Sequence, residues 1–195
     1  MIQDTARTIT KEEIAHLPIE TYKGRIITII SESDANKAVA YLREFPVVGF
    51  DTETRPSFKK GQHYKVSLIQ ISTEDTCFLF RLNYLKGIPA SLLNFLNSEE
   101  TIKVGLSLRD DFGAIRKRSA INPGNFIDLQ DFVKPFCIQE ASLQKIYAIL
   151  FSKKISKGQR LTNWEAENLT EPQQRYAALD AWACLKIYNY LNSTI

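Results

Sequence analysis

The stretch Val-Val-Gly-Phe-Asp-Thr-Glu at residues 47–53 begins as an apolar strand and ends in two carboxylates. It follows Pro46, and its apolar side chains serve both faces, a pattern typical of a strand in the middle of a covered sheet. Residues two apart in a strand share a face, so Asp51 and Glu53 point the same way. Their charges repel each other and lose hydration there, a cost that a bound cation would remove. An exposed strand end is the alternative that this stretch alone leaves open.

The segments on either side of this strand alternate between helical and extended patterns. We expect helices at about 10–16, from Ser31 to about Glu44, at 89–97, from Ser107 onward, at 141–150 and from Thr170 to about Leu191. Ser31 and Ser107 are the expected N-terminal caps of their helices, and Gln173 stands where a capping box with Thr170 requires it. We expect further strands at 26–30, 65–72, 76–82, 102–104 and 127–129, of which 65–72 and 76–82 read as a hairpin. The pattern predicts a single-domain α/β fold, a mixed sheet flanked by helices, over residues 25–195, with a polar lead-in at residues 1–24.

Composition places the chain among ordinary globular proteins and narrows the chemistry. Its 195 residues suit one domain, with 44% apolar residues, 24% charged residues and a net charge of +3. Cys77, Cys137 and Cys184 are widely spaced and odd in number, which argues against a disulfide framework. The first residues lack the apolar core expected of a signal peptide, and no apolar run approaches about 20 residues. We therefore expect a soluble, cytoplasmic protein with no membrane partner.

Histidine content argues against a zinc centre. The chain has only two histidines, His16 and His63, and its cysteines are scattered, so few nitrogen or sulfur ligands are available. In contrast, 22 aspartates and glutamates supply oxygen ligands. Any bound metal is therefore expected to be a hard cation held by carboxylates.

The last predicted helix carries the second notable carboxylate. Tyr176 and Asp180 lie four residues apart, which places them on one helix face. Their neighbours are mostly apolar, so the helix is expected to be largely buried. A buried aspartate needs a partner. That partner is either a nearby lysine or arginine, or a cation in a site.

The third pair is Asp110–Asp111, in the first turn of the helix that starts at Ser107. Acidic residues there favour the helix dipole, which is sufficient to explain both. At about 100° per residue, however, Asp111 borders the face defined by Leu108, Phe112 and Ile115, whereas Asp110 points to solvent. A buried acidic site would therefore recruit Asp111.

These placements, in this order, resemble the DEDD family of 3′–5′ exonucleases, which includes ribonuclease D, Werner-type exonucleases and polymerase proofreading domains. The matching segments are FDTE at 50–53, KVGLSLRDDFGAI at 103–115 and RYAALDAWACLKIY at 175–188. The hairpin KVSLIQIS and the approach NWEAENLTEPQQRYAALDA are also similar, and the resemblance covers about residues 25–192. The third motif has the tyrosine form, because Arg175 stands where the other subtype has histidine.

The resemblance implies a ribonuclease-H-like fold and a metal-dependent phosphodiester hydrolase that acts on the 3′ end of DNA or RNA. Asp51, Glu53, Asp111 and Asp180 would hold two divalent ions, Mg²⁺ or Mn²⁺, roughly 4 Å apart. By resemblance Asp51 would bridge the ions, Glu53 and Asp180 would hold one, and Asp111 would support the other. Tyr176 would orient the attacking water, since a phenol pKa near 10 is too high for an efficient base.

Cations near the predicted site suggest how a phosphate backbone would be held. Candidates before the Asn163–Trp164 pair are Lys153, Lys154, Lys157 and Arg160, and those after the first motif are Lys59, Lys60 and Lys65. Solvated surface lysines are the alternative. Trp164 is a candidate for stacking on a base, and core packing is its alternative.

Three other functions remain as rivals. The first is a catalytically weak or inactive member of the family that acts as a nucleic-acid-binding scaffold, which the intact set of four carboxylates and Tyr176 argues against. The second is an endonuclease of the same fold that cleaves RNA–DNA hybrids, which the Tyr176–Asp180 spacing disfavours. The third, an α/β domain with scattered surface acids, would need three motifs to coincide by chance. The sequence does not distinguish DNA from RNA.

Overall fold

The computed structural model describes residues 6–194 and contains a six-stranded mixed sheet. The strands are β1 (Arg25–Ile29), β2 (Val47–Thr54), β3 (Val66–Ser72), β4 (Thr76–Arg81), β5 (Ile102–Gly105) and β6 (Phe126–Asp128). Their order across the sheet is β1-β4-β3-β2-β5-β6. The β2–β3 and β3–β4 pairs are antiparallel, and the β1–β4, β2–β5 and β5–β6 pairs are parallel. The expected mixed sheet is confirmed, with the strand that carries Asp51 and Glu53 inside it.

Seven α-helices flank this sheet within the described residues. They are α1 (Lys11–Ala15), α2 (Glu32–Leu42), α3 (Ala90–Asn97), α4 (Leu108–Arg116), α5 (Leu129–Phe132), α6 (Leu143–Phe151) and α7 (Glu171–Asn192). The Ser31 cap and the Thr170–Gln173 capping box are both formed, as predicted. Helix α5 and the 3₁₀ turn at Lys134–Phe136 were not predicted. Elements of three or four residues are too short to show a helical period.

The sheet separates two apolar layers. One layer includes Leu68 and Leu79 of the sheet with Ala177 and Ile187 of α7. The other includes Val48, Phe50, Ile69 and Ile71 of the sheet with residues of α2, α3 and α4. Alternate residues of β2 and β3 therefore serve opposite layers, as the strand period requires. The α7 face is the one toward which Asp51 and Glu53 point.

The lead-in packs against the rest of the chain. Tyr22 is buried in the α7 layer, and Glu20 is also buried. Isolated β-bridges pair Arg7 with Ile138 and Ile19 with Lys154. Across residues 6–194, no helix has both the length and the apolar character needed to cross a bilayer.

Candidate active site

Strand β2 and helix α7 bring three of the predicted carboxylates together. Asp51, Glu53 and Asp180 each place a carboxylate oxygen within 4.8 Å of the others. The close approach depends on Gly49, because a Cβ on this residue would overlap the backbone carbonyl of Ala181. A glycine two residues before Asp51 therefore lets α7 lie directly on the strand and carry Asp180 to the carboxylates.

The fourth carboxylate, Asp111, reaches the site from α4. It is partly buried whereas Asp110 is exposed, as the helical wheel predicts. The Thr52 hydroxyl donates a hydrogen bond of 2.5 Å to the Asp111 carboxylate. Asp111 lies outside the tight three-carboxylate group, yet its charge acts on Asp51 and Glu53.

Helix α4 is capped differently from the prediction. Ser107 is its first flanking residue, but it has a left-handed backbone (φ 61°) and its side chain makes no capping hydrogen bond. Instead, the Asp128 carboxylate accepts hydrogen bonds from the backbone N–H groups of Ser107 (3.1 Å) and Leu108 (2.9 Å). Asp128 also accepts one from the N–H of Gln130 (2.9 Å). The end of β6 therefore fixes the helix that presents Asp111.

Burial raises the pKa values of all four carboxyl groups, and repulsion within the group adds to the rise for Asp51 and Glu53. Burial has the largest effect on Asp51, followed by the charges of Asp111, Asp180 and Glu53, and raises its pKa well above the usual range. Burial and the charges of Asp180 and Asp111 raise the pKa of Glu53 to about 9. Burial raises the pKa of Asp111 and that of Asp180 to about 7. The protein's own groups thus leave this negative charge largely uncompensated.

Tyr176 lies one turn before Asp180 and faces the same carboxylates. Burial raises the pKa of its hydroxyl, and the charges of Asp180, Glu53 and Asp51 raise it further. A hydrogen bond from Tyr176 partly offsets the effect of burial on the pKa of Asp180. The hydroxyl therefore keeps its proton at neutral pH, in agreement with an orienting role and against a role as base.

A cavity of about 340 Å³ opens beside the carboxylates, and Lys157 and Arg160 line it together with Asp51, Tyr176 and Asp180. The charge of Lys157 offsets part of the rise in the pKa of Asp180, and the charge of Arg160 offsets part of the rise in the pKa of Glu53. Both side chains belong to exposed residues. The structure thus brings these two predicted phosphate-binding cations to the site.

Three other predicted contacts are not at the site. Trp164 is completely buried and packs against Tyr176, with ring centroids 6.0 Å apart, so the stacking role is corrected in favour of core packing. Lys153 forms an ion pair of 3.0 Å with Glu20, and Lys154 donates a hydrogen bond of 2.5 Å to the Ala15 carbonyl. These two lysines hold the lead-in. Residues Lys59, Lys60 and Lys65 are exposed.

Three residues of the site were missed by reasoning from sequence. The need for glycine at position 49 becomes clear only once α7 is known to lie against β2. Thr52 belongs to the quoted stretch, but its bond to Asp111 joins positions 59 apart. Asp128 lies 20 residues from the helix it caps. No local pattern signals such long-range contacts.

Comparison with known proteins agrees with this geometry. Residues 26–195 match the family model described as 3′–5′ exonuclease. The chain is 29% identical over 187 residues to the mouse bifunctional 3′–5′ exonuclease/ATP-dependent helicase WRN, covering 91% of this chain and 13% of that protein. It is 31% identical over 192 residues to an Arabidopsis thaliana 3′–5′ exonuclease, covering 90% of this chain and 66% of that protein.

The fold recurs in a solved structure. The Aedes aegypti Nibbler EXO domain superposes with a TM-score of 0.76 and 23% identity, covering 89% of this chain and 91% of that chain. This likeness shows the ribonuclease-H-like fold. The alignments to the mouse and Arabidopsis proteins span only part of either relative. Because the family model matches residues 26–195, which is most of this chain, the chain belongs to the DEDD family of 3′–5′ exonucleases.

Proposed function

We propose that the chain is a two-metal-ion 3′–5′ exonuclease of the tyrosine subtype, which hydrolyses terminal phosphodiester bonds of DNA or RNA and releases nucleoside monophosphates. The observation that carries the proposal is the group of acidic side chains formed by Asp51, Glu53 and Asp180, with Asp111 beside it. Four carboxyl groups from three segments are held together against their own repulsion. That cost is offset when cations occupy the group.

The residues present fit a pair of divalent ions. All four candidate ligands are carboxylates, the donor type that Mg²⁺ and Mn²⁺ prefer. We propose that Asp51, Glu53 and Asp180 would hold the ions, with Asp111 as a supporting ligand. Bound there, such ions would supply an activated water at neutral pH and charge stabilisation for the leaving oxygen.

The chain's own groups hold and orient the substrate. Lys157 and Arg160 line the cavity and place positive charge where a terminal phosphate would lie against the carboxylates. Tyr176, protonated at neutral pH, donates a hydrogen bond that orients the attacking water. The burial of Trp164 against Tyr176 fixes the position of the phenol ring.

The rival proposal is a weak or inactive nucleic-acid-binding scaffold. It requires a defect in the site. However, Asp51, Glu53 and Asp180 form one group, Tyr176 lines the cavity beside it, and the charge of Asp111 acts on Asp51. Metal binding by the free protein separates the two, because a scaffold with a defective site loses its affinity for divalent ions.

The boundaries and the setting of this domain are also proposals. We assign the exonuclease domain to residues 25–195 and the lead-in to residues 1–24, in line with the family match that begins at residue 26. We propose a cytoplasmic setting, since Cys77 and Cys184 are buried as free thiols.

Digestion of 5′-labelled oligonucleotides tests the proposal. Single-stranded DNA, a recessed DNA duplex and single-stranded RNA are each incubated with Mg²⁺, Mn²⁺ or EDTA, beside Asp51→Ala. We expect a ladder that shortens from the 3′ end, is absent with EDTA and is absent with the variant. No ladder on any substrate from folded protein would contradict the proposal, and failure of the same protein to bind Mn²⁺ would favour the scaffold instead.

A further inference from the structure

The carboxamide of Gln70 on β3 is completely buried, and neither its Nε2 nor its Oε1 atom has a hydrogen-bond partner among residues 6–194. Such groups are rare, since nearly all buried side-chain amides in folded proteins are hydrogen-bonded. An apolar side chain of the same size would fill this position at lower cost. The presence of glutamine therefore points to a partner other than the surrounding packing.

The strand register places a polar side chain directly opposite Gln70. Gln70 lies directly opposite Asp51 in the antiparallel β2–β3 pair. Directly opposed residues point to the same face, with Cβ atoms about 4.5–5.5 Å apart, well within reach of a glutamine. On its other side Gln70 faces Leu79 of β4, which offers no polar side-chain group. The amide thus lies between a candidate metal ligand and an apolar neighbour.

The neighbours of Gln70 along β3 show that this polarity is local. Leu68 lies opposite Glu53, and both Leu68 and Leu79 belong to the apolar layer under α7. Ser72 lies opposite Gly49 and donates its hydroxyl hydrogen bond to the Thr73 carbonyl. Among these three residues of the strand, only the one opposite Asp51 carries an unpaired polar group.

We propose that Gln70 is a positioning residue of the metal site, whose side-chain N–H donates a hydrogen bond to the Asp51 carboxylate and fixes its orientation toward the ions. This role rests on the proposed function, because it requires Asp51 to be an ionised ligand. Hydrogen bonds to ionised carboxylates are short and strong. Partners of this kind orient metal ligands, and their loss typically weakens metal affinity by about 10–100-fold.

Replacement of the amide by an apolar side chain of equal length tests the role. Gln70→Met keeps the volume and removes the donor, and Gln70→Leu removes it with a different shape. Ile69→Val is the matched control, because Ile69 is equally buried on the same strand but belongs to the opposite layer. Mn²⁺ affinity is measured by calorimetry on metal-stripped protein, together with thermal unfolding in EDTA, kcat and KM.

For Gln70→Met and Gln70→Leu we expect Mn²⁺ to bind about 10–100-fold more weakly. We expect kcat to fall while KM for the oligonucleotide changes little. The unfolding temperature in EDTA should not drop, since an unsatisfied buried amide is removed. Ile69→Val should keep the Mn²⁺ affinity of the wild type.

Three outcomes would overturn the role of Gln70. One is wild-type Mn²⁺ affinity and kcat in both variants, and another is an equal loss of affinity in the Ile69→Val control. The third is failure of both variants to fold, which would assign Gln70 to packing. In all three the wild type still binds Mn²⁺ and cleaves DNA or RNA. A wild type that does neither would instead overturn the proposed function, and this role with it.

Discussion

Glu20 and the carboxylate group around Asp51 are each withdrawn from solvent at least in part, but their electrostatic surroundings are opposite. Glu20, in the lead-in, accepts hydrogen bonds from the Tyr147 hydroxyl (2.7 Å) and from Lys153 (3.0 Å), and Lys186 lies 3.5 Å away. Burial alone would raise its pKa, but these partners together lower the pKa of Glu20 below the usual value. Asp51, in contrast, is surrounded by three other carboxylates, which raise its pKa beyond the effect of burial.

The difference separates a structural carboxylate from one that we propose as a metal ligand. The partners of Glu20 come from three parts of the chain, so its charge joins the lead-in to α6, α7 and the loop between them. The group around Asp51 is compensated only in part, by Lys157, Arg160 and nearby hydroxyls, and it opens onto a cavity. Burial of an acid is therefore not itself a sign of a site. The informative feature is a buried acid whose neighbours oppose its charge.

The largest expected effect is on activity, from removal of one uncompensated charge. For Asp180→Asn we expect turnover to fall by roughly 10³-fold or more, at least as much as losing one preorganised electrostatic group. The metal-free variant should be more stable than the wild type at pH 8, because repulsion is removed. Thermal unfolding in EDTA and the oligonucleotide assay measure both. A variant that is less stable and equally active would contradict the comparison.

Two tyrosine hydroxyls provide the next test, since Tyr147 donates a hydrogen bond to Glu20 and Tyr176 donates one to Asp180. We expect Tyr176→Phe to lower turnover by about 10²-fold with little change in stability, because it removes the group that orients the water. Tyr147→Phe, the matched control, should keep activity and lose about 1–3 kcal/mol of unfolding free energy with its hydrogen bond to Glu20. Chemical denaturation and initial rates separate the two. Equal rates for Tyr176→Phe and the wild type would reduce Tyr176 to a packing residue.

Neutralising Glu20 should lower stability, whereas neutralising Asp180 should raise it. We expect Glu20→Gln to lose about 1.5–3 kcal/mol of unfolding free energy, typical of a hydrogen bond to a charged group. Turnover should remain within about twofold of the wild type, since Glu20 does not face the cavity. Urea denaturation measures the loss. Stabilisation by Glu20→Gln would show that its partners do not offset its burial.

The pH dependence of stability should follow the same division. In the metal-free protein the pKa of Asp180 and that of Asp111 are raised to about 7, and that of Glu53 to about 9. Between about pH 4, the unfolded value for carboxyl groups, and these values the folded state binds more protons. The unfolding free energy in EDTA should therefore fall as pH rises through this window. The lowered pKa of Glu20 acts the other way, and its contribution is lost only as pH falls.

Unfolding temperatures at pH 5 and pH 8 measure this pH dependence of stability. In EDTA, the unfolding temperature of Asp180→Asn should fall less between pH 5 and pH 8 than that of the wild type. Mn²⁺ at pH 8 should raise the unfolding temperature of the wild type more than that of Asp180→Asn, because the ions bind the ionised carboxylates. A wild-type stability that rises from pH 5 to pH 8 in EDTA would contradict the sign.

Local patterns in the sequence predicted most of the fold and the acidic side chains that come together in it. The apolar run before Asp51, the Thr170 capping box and the wheel position of Asp111 are properties of neighbouring residues, and all three are confirmed in the structure. Contacts between distant segments were not predictable in this way. Lys153 looked like a phosphate ligand until the structure paired it with Glu20, 133 residues away. The order of the strands and the cap from Asp128 have the same long-range character.

The central claim is that the uncompensated carboxylates form a divalent-metal site. Calorimetric titration of the metal-stripped protein with Mn²⁺ at pH 8, beside Asp51→Asn and Glu20→Gln, tests it most directly. We expect Mn²⁺ to bind the wild type and Glu20→Gln equally and to bind Asp51→Asn far more weakly. Absence of binding to the folded wild type, or equal binding to all three proteins, would contradict the claim.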